Sequence, residues 1–467
     1  MQPFLVEYVT TALPRRKPER WPDILKPGSF FEVGCELATL WFDATLPPGT
    51  PAGEYTSTIT ITPQGRNPVT LELQVTATGW DLPLSPSLHT AFCFSPSWAR
   101  QFYGTNIPAD KRRDIYRFLL QHRLEPMDLW SQLDIGEEYL DDAAAHGKSL
   151  LFLQIDKNIR QKADHYRELI AKYQGRMKPI FFGYDEVLVQ TGGRKLSDMQ
   201  RDYQIAHELF PEIPRLNTAR VDERLFGYVD IWCPKFNNFD ASDAAKRKAL
   251  GEVVWWYPTE HPPKPFANFN LDQPGIDPRI LPWMSWKLGI TGILYWGLNR
   301  EWLTKSPTEA KLGLQEEFQE RGLTWLTSEV QQKLLRGEVH WPDIPWIPYF
   351  RSVFNPRHIA NEPGGGNLLY PAPDFQVWPS IRLKNLRDGL QDYEYLVMLQ
   401  KEAARLRELG NQTLAQECET ILRLDDSLVK DATHYTKQPE ELYSYRQLLL
   451  FAIQNARKQW KLLQNTY

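Results

Sequence analysis

The chain has 467 residues, 42% hydrophobic and 24% charged, a globular composition too long for a single hydrophobic core, so two or three domains are expected. Its 54 Lys and Arg nearly balance 58 Asp and Glu for a net charge of -4, and no basic cluster exceeds Arg15-Arg16-Lys17 or Lys111-Arg112-Arg113, which argues against a nucleic-acid partner. Apolar stretches such as Ser149-Leu-Leu-Phe-Leu-Gln-Ile155 are far too short to cross a bilayer, so no membrane span is predicted.

The N-terminus, Met1-Gln-Pro-Phe-Leu-Val-Glu-Tyr8, has no charged segment followed by a sustained apolar core and predicts no secretory signal. A cytoplasmic location is the expectation for the sequence as it stands, and a secreted or periplasmic one if the start is truncated. From about residue 30 to 80 the pattern has period two: Ile59 and Ile61 alternate with Thr58, Thr60 and Thr62, and Val69, Leu71, Leu73 and Val75 with Thr70, Glu72 and Gln74. Pro63-Gln-Gly-Arg-Asn67 joins these runs as a hairpin, predicting a small antiparallel β-sandwich that ends near Trp80-Asp81.

Beyond the linker Leu82-Pro-Leu-Ser-Pro86, short apolar runs recur between amphipathic stretches. Strands are predicted at Leu88–Ser95, Pro126–Trp130, Leu150–Ile155, Ile180–Glu186, Arg215–Thr218, Val229–Pro234, Val253–Tyr257 and Gly292–Asn299, with helices such as Ala109–His122, Lys157–Tyr173, Ser197–Leu209 and Ala241–Leu250. Eight strands in β-α order predict a (β/α)8 TIM barrel over residues 87–330, and no GxGxxG turn supports a doubly wound sheet. Residues 331–467 form a third, mainly helical region packed on the barrel. A Gly- and Pro-rich connection over 361–379 leads there into helices at 384–408, 411–427 and 439–464, and the β-sandwich occupies 1–84.

The chemistry concentrates at Asp185-Glu186, which ends the apolar run Pro179-Ile-Phe-Phe-Gly-Tyr184. The carboxyl end of a barrel strand is where that fold gathers its active site, and both acids face one pocket only if the backbone turns or bulges there. One of them can then hold a proton while its neighbour stays ionised, the division of labour that glycosidic cleavage requires. Adjacent residues are badly placed to flank a sugar from opposite faces. A mechanism in which a 2-acetamido group supplies the nucleophile, with Asp185 stabilising its N–H and Glu186 as acid and base, avoids that difficulty.

Other strand ends supply candidate substrate-binding walls: Tyr184, Trp130, Trp232, Trp256, Tyr257 and Trp296 as rings, with Asn217 and Asn299 as hydrogen-bonding amides; Lys235 and Asn237 are further candidates. Cys35, Cys93, Cys233 and Cys418 form no CxxC set and read as reduced core thiols, and the nine His contain no HExxH. Neither a metal nor a cofactor is predicted.

Tyr184-Asp-Glu186, Trp80-Asp-Leu-Pro-Leu-Ser-Pro86, Leu294-Tyr-Trp296 with Asn299, and Ser380-Ile-Arg-Leu-Lys-Asn-Leu-Arg-Asp-Gly-Leu-Gln-Asp-Tyr-Glu-Tyr395 together resemble glycoside hydrolase family 123 over nearly the whole chain. The resemblance implies a β-N-acetylgalactosaminidase with a retaining, substrate-assisted mechanism, Asp185 as acetamido stabiliser and Glu186 as acid/base. It implies a glycan or glycoconjugate with a terminal 2-acetamido sugar as partner. Against that family the N-terminus enters Trp21-Pro-Asp-Ile-Leu25 almost directly, so part of the sandwich is expected to be missing. Arg382, Arg387, Asp392 and Glu394 are expected to dock the C-terminal helix on the barrel through ion pairs. Two other readings stand beside the first: a related hydrolase of another 2-acetamido sugar, and a non-catalytic carbohydrate-binding protein on the same barrel.

Overall fold

The computed structural model describes residues 1–11, 19–34, 37–188, 196–259, 264–305, 327–336, 338, 341, 346 and 363–464. Cys35 and residues 361–362 of the Gly- and Pro-rich stretch lie outside them. The architecture is mixed α/β and multidomain, with antiparallel sheets at the N-terminus, parallel strands in the middle and helices at the C-terminus.

In the N-terminal region, β1 (Gln2–Thr11) pairs antiparallel with both β2 (Glu19–Pro27) and β3 (Leu40–Asp43). β4 (Gly53–Ile61) and β5 (Val69–Ala77) form the expected hairpin, with Ile61 opposite Val69. The alternation locates these two strands, yet Tyr55, Val69 and Leu71 on their apolar face stay exposed. Burial is supplied by β1 and β2, which the period-two pattern did not reveal: Phe4, Val6 and Leu25 cluster with Trp41 and with Ile381 of the distant C-terminal helix.

All eight predicted middle strands are present, each shorter than its apolar run: β6 (His89–Cys93), β7 (Pro126–Met127), β8 (Leu150–Gln154), β9 (Lys178–Phe182), β10 (Arg215–Asn217), β11 (Ile231–Trp232), β12 (Val253–Val254) and β13 (Gly292–Tyr295). Helices at Ala109–Gln121, Ile159–Tyr173, Leu196–Leu209 and Ala241–Ala249 match the predicted ones to within two residues. The strands form two parallel sheets, in the order β12-β11-β10-β9-β8 and β13-β6-β7, and a parallel bridge between Trp256 and Ile293 joins them. Between β7 and β8 no backbone ladder occurs among the described residues. There the buried carboxylate of Glu125 accepts from the amides of Ser149 and Leu150, both at 2.8 Å, and Asp134 accepts from the amide of Phe152 at 2.7 Å.

One core cluster draws alternate residues from every one of these strands or their continuations: Ala91, Cys93, Met127, Leu150, Phe152, Ile180, Phe182, Leu216, Ile231, Cys233, Trp255, Tyr257 and Leu294. Residues of the opposite parity, Phe92, Leu151, Leu153, Phe181, Trp232, Val254 and Trp256, pack into a second core shared with the helices. Both sides of each strand are therefore buried, as parallel strands require.

The Gly- and Pro-rich stretch contains a small hairpin, β14 (Leu369–Pro371) and β15 (Val377–Pro379). Helices follow at Ile381–Glu408, Gln412–Leu422 and Pro439–Gln464, near the predicted spans. Ser380 caps the first, its hydroxyl accepting from the amide of Leu383 at 3.0 Å. That helix packs on Asp277–Leu288 so closely that a Cβ at Gly389 would lie 2.3 Å from the carbonyl oxygen of Arg279. Its predicted ion pairs form, but only Asp392 with Arg279 and Glu394 with Arg123 reach the middle region; Arg382 and Arg387 instead reach Asp23 and Asp43 at the N-terminus. No described helix is long and apolar enough to cross a membrane.

Candidate active site

Where β9 ends, the chain turns sharply. Gly183 lies against the preceding strand, where a Cβ would meet the carbonyl oxygen of Ile155 at 2.1 Å. Tyr184 and Glu186 then take left-handed backbone angles, φ 55° and 49°, with Asp185 between them. Such angles are costly for side chains other than glycine and persist only where surroundings hold them. Those surroundings are visible: the buried amide of Asn217 donates to the carbonyls of Gly183 (3.2 Å) and Tyr184 (3.0 Å), and the Tyr203 hydroxyl lies 2.7 Å from the Gly183 carbonyl. The backbone therefore turns at the two acids, as the sequence required for both to leave the strand on one side.

Thr218, which follows β10, joins the Asp185 carboxylate to the backbone of Glu186. Its hydroxyl donates to Asp185 Oδ1 at 2.5 Å and accepts from the Glu186 amide at 2.8 Å. A hydroxyl has one proton, so accepting from the amide leaves that proton for Asp185. Glu186 Oε1 receives the Tyr257 hydroxyl at 2.5 Å and the Lys235 ammonium at 2.8 Å. Burial, and then the charge of Glu186, push the Tyr257 hydroxyl far above its ordinary range, so it stays a donor. Burial and the neighbouring charge of Asp185 likewise push up the thiol of Cys233, one layer below. Cys93, Cys233 and Cys418 are all free and buried.

Of the sequence-derived wall residues, the structure brings Tyr257 to the acids directly. Tyr184 lies in the turn, its hydroxyl donating to buried Asp202, and Asn217 braces the turn from behind. Trp130 and Trp296 lie beyond β7 and β13 at the same strand ends, joined by the Trp130 N–H on the Trp296 carbonyl at 3.0 Å; Trp130 is 42% exposed.

Three residues fall elsewhere. Trp232 and Trp256 are fully buried, and their N–H groups are taken by Glu252 (2.5 Å) and Ser285 (3.1 Å). Side chains alternate along a strand, so Cys233, Lys235 and Tyr257 facing inward commit Trp232 and Trp256 to the helix side. Asn299 exchanges both ends of its amide with the backbone of Ser95, at 2.9 and 3.0 Å, tying two strand ends together. Thr218 escaped the sequence reading, since a lone hydroxyl carries no signal there, and Lys235 was read as a sugar ligand rather than a partner of Glu186.

Pro234 and Asn237, the flanks of Lys235, help line a cavity of about 750 Å³ with Arg220, Asp222, Arg224 and Asp243. Pro234 has the outward parity of its strand, which sets this cavity across the strand end from the carboxylates.

Two acids together at the end of one parallel strand suit acid–base chemistry, and the comparisons supply the class. The profile for the glycoside hydrolase 123 catalytic domain matches residues 139–399, more than half of the chain, and the chain belongs to that family. A family 123 glycoside hydrolase from Clostridium perfringens, described for glycolipid glycan hydrolysis, shares the fold with a TM-score of 0.57 at 12% identity, covering 100% of this chain and 87% of the other. A family 39 glycoside hydrolase from Bacteroides cellulosilyticus WH2 aligns with a TM-score of only 0.31 at 9% identity, over 64% of this chain and 70% of the other. No curated protein matches this chain in sequence.

Proposed function

We propose that this glycoside hydrolase is a retaining exo-enzyme that removes terminal β-linked N-acetylgalactosamine, with the 2-acetamido group of the substrate as nucleophile. The observation that carries this reading is the strained turn that fixes Asp185 and Glu186 side by side through Thr218. Acids held on one side of a pocket cannot act as acid and nucleophile on opposite faces of a sugar, whereas substrate assistance needs them together. Glu186 protonates the leaving oxygen while the acetamido oxygen attacks the anomeric carbon, and Asp185 accepts the acetamido N–H as positive charge develops. Glu186 then takes a proton from the water that opens the cyclic intermediate. Trp130 and Trp296 serve as stacking walls.

We read the eight parallel strands as a (β/α)8 barrel, which the shared inner core and the Trp256–Ile293 bridge support, flanked by an N-terminal region over 1–84 and a helical one over 331–467. The test is hydrolysis of aryl β-N-acetylgalactosaminide and β-N-acetylglucosaminide by the wild-type chain, with Asp185→Asn and Glu186→Gln as controls. Turnover of the galacto substrate that both substitutions abolish supports the proposal. Preference for the gluco substrate points to another 2-acetamido sugar, and binding without turnover to a carbohydrate-binding protein.

A further inference from the structure

The donors around Glu186 are unevenly distributed. The Tyr257 hydroxyl donates to Oε1 at 2.5 Å and the Lys235 ammonium pairs with the same oxygen at 2.8 Å, while among the described residues no hydrogen bond reaches Oε2. A carboxylate oxygen offers about two lone-pair sites in its plane, so a proton placed on Oε1 would compete with the Tyr257 hydrogen bond and sit against the Lys235 ammonium. Tyr257 is rigidly held: it is 3% exposed and its backbone bridges that of Lys235, so the two donors share one strand-end frame.

We infer that Tyr257 and Lys235 are positioning residues that confine the transferable proton of Glu186 to Oε2. The inference rests on the proposed acid/base role of Glu186. As the glycosidic C1–O bond breaks, its electron pair passes to the leaving oxygen, which takes the proton from Oε2, while an acetamido oxygen lone pair forms the new bond to C1. The charge left on Glu186 spreads to Oε1, where an ammonium and a hydroxyl already point. In the second step a water oxygen bonds to C1, the acetamido oxygen leaves with its electron pair, and the water proton returns to Oε2.

The inference predicts a dependence on the leaving group. A nitrophenolate departs with little help from an acid, whereas an alkoxide needs the proton. Tyr257→Phe and Lys235→Met should therefore widen the ratio of kcat/KM between nitrophenyl and methyl glycosides of one sugar by at least about tenfold, the scale of a lost hydrogen bond to a charged group. Lys235→Arg, which keeps the charge and a donor, should restore part of that ratio. Because Tyr257→Phe preserves the ring, it keeps the test open should Lys235→Met fold poorly. Equal losses on both glycosides, or none, overturn the inference alone. A wild-type chain that cleaves neither glycoside overturns the proposed function and this inference with it.

Discussion

Asp23 on β2 and Arg382 on the C-terminal helix, 359 positions apart, form a buried two-point ion pair, with Nε on Oδ1 at 3.0 Å and Nη2 on Oδ2 at 2.9 Å. Arg382 also donates to the Asn367 carbonyl at 2.6 Å and to the carbonyls of Phe269 and Gly364, and Tyr370 donates to Asp23. N-terminal strand, middle region and C-terminal helix therefore meet on one guanidinium. Removing one partner strands a buried charge, so Asp23→Asn or Arg382→Met is expected to cost about 3–5 kcal/mol in denaturant unfolding. The double variant Asp23→Leu with Arg382→Met should recover part of that loss.

Thr218 separates two roles that one substitution can distinguish. Thr218→Val keeps the shape but removes the hydroxyl that joins Asp185 to the Glu186 amide. Turnover should fall by roughly ten- to a hundredfold, about 1.5–3 kcal/mol, while Tm changes little. Thr218→Ser should retain most of the rate. If Val and Ser behave alike in steady-state kinetics, the hydroxyl does not order the acids.

Gly183 is constrained by space. A methyl group there would lie 2.1 Å from the Ile155 carbonyl oxygen, a backbone atom that cannot move without dragging the end of β8. Gly183→Ala is expected to destabilise the fold by about 1–3 kcal/mol and to lower activity out of proportion by displacing the turn. Thermal unfolding together with kcat at a temperature well below Tm checks both halves.

Acid should loosen the C-terminal helix before it reaches the carboxylates. His122 is buried, and burial followed by the Lys384 ammonium, 2.8 Å from Nε2, lowers its pKa to about 3. The unfolded chain takes up that proton near 6.5 and the folded one does not, so stability is lost as pH falls from about 6.5 toward 3, by about 2–3 kcal/mol at pH 4.5. Asp43 acts lower: burial raises its pKa, but the donors Arg387 and Lys384 outweigh it and hold the group at about 2, so its contribution is lost only below about pH 4. Unfolding free energies at pH 7 and pH 4.5 should differ less in His122→Gln than in the wild type.

The candidate pair Asp185-Glu186 stood out because two carboxylates closing an apolar strand are chemically out of place, and the strand count was legible because each apolar run is bounded by turns. Trp232 and Trp256 went astray because aromatic content points to sugar binding without saying which way a ring faces. Parity relative to Lys235 and Tyr257 decides that, and two-residue strands such as β11 and β12 show too little alternation to reveal it. β1 and β2 were missed since their burial depends on Trp41 and Ile381, far along the chain. Asn299 was expected at the sugar and Thr218 was given no role for a related reason: which polar side chain meets backbone and which meets a carboxylate is a tertiary fact.

The left-handed angles at Tyr184 and Glu186 each cost the folded state on the order of 1 kcal/mol, since neither residue is glycine. Selection for heat resistance and selection for bond cleavage therefore pull this turn in opposite directions. A library of variants enriched by heating alone should accumulate glycine or asparagine at these two positions and lose its chemistry as it does so. The most stable sequence for this fold and the most active one are different sequences, and they part company within three residues.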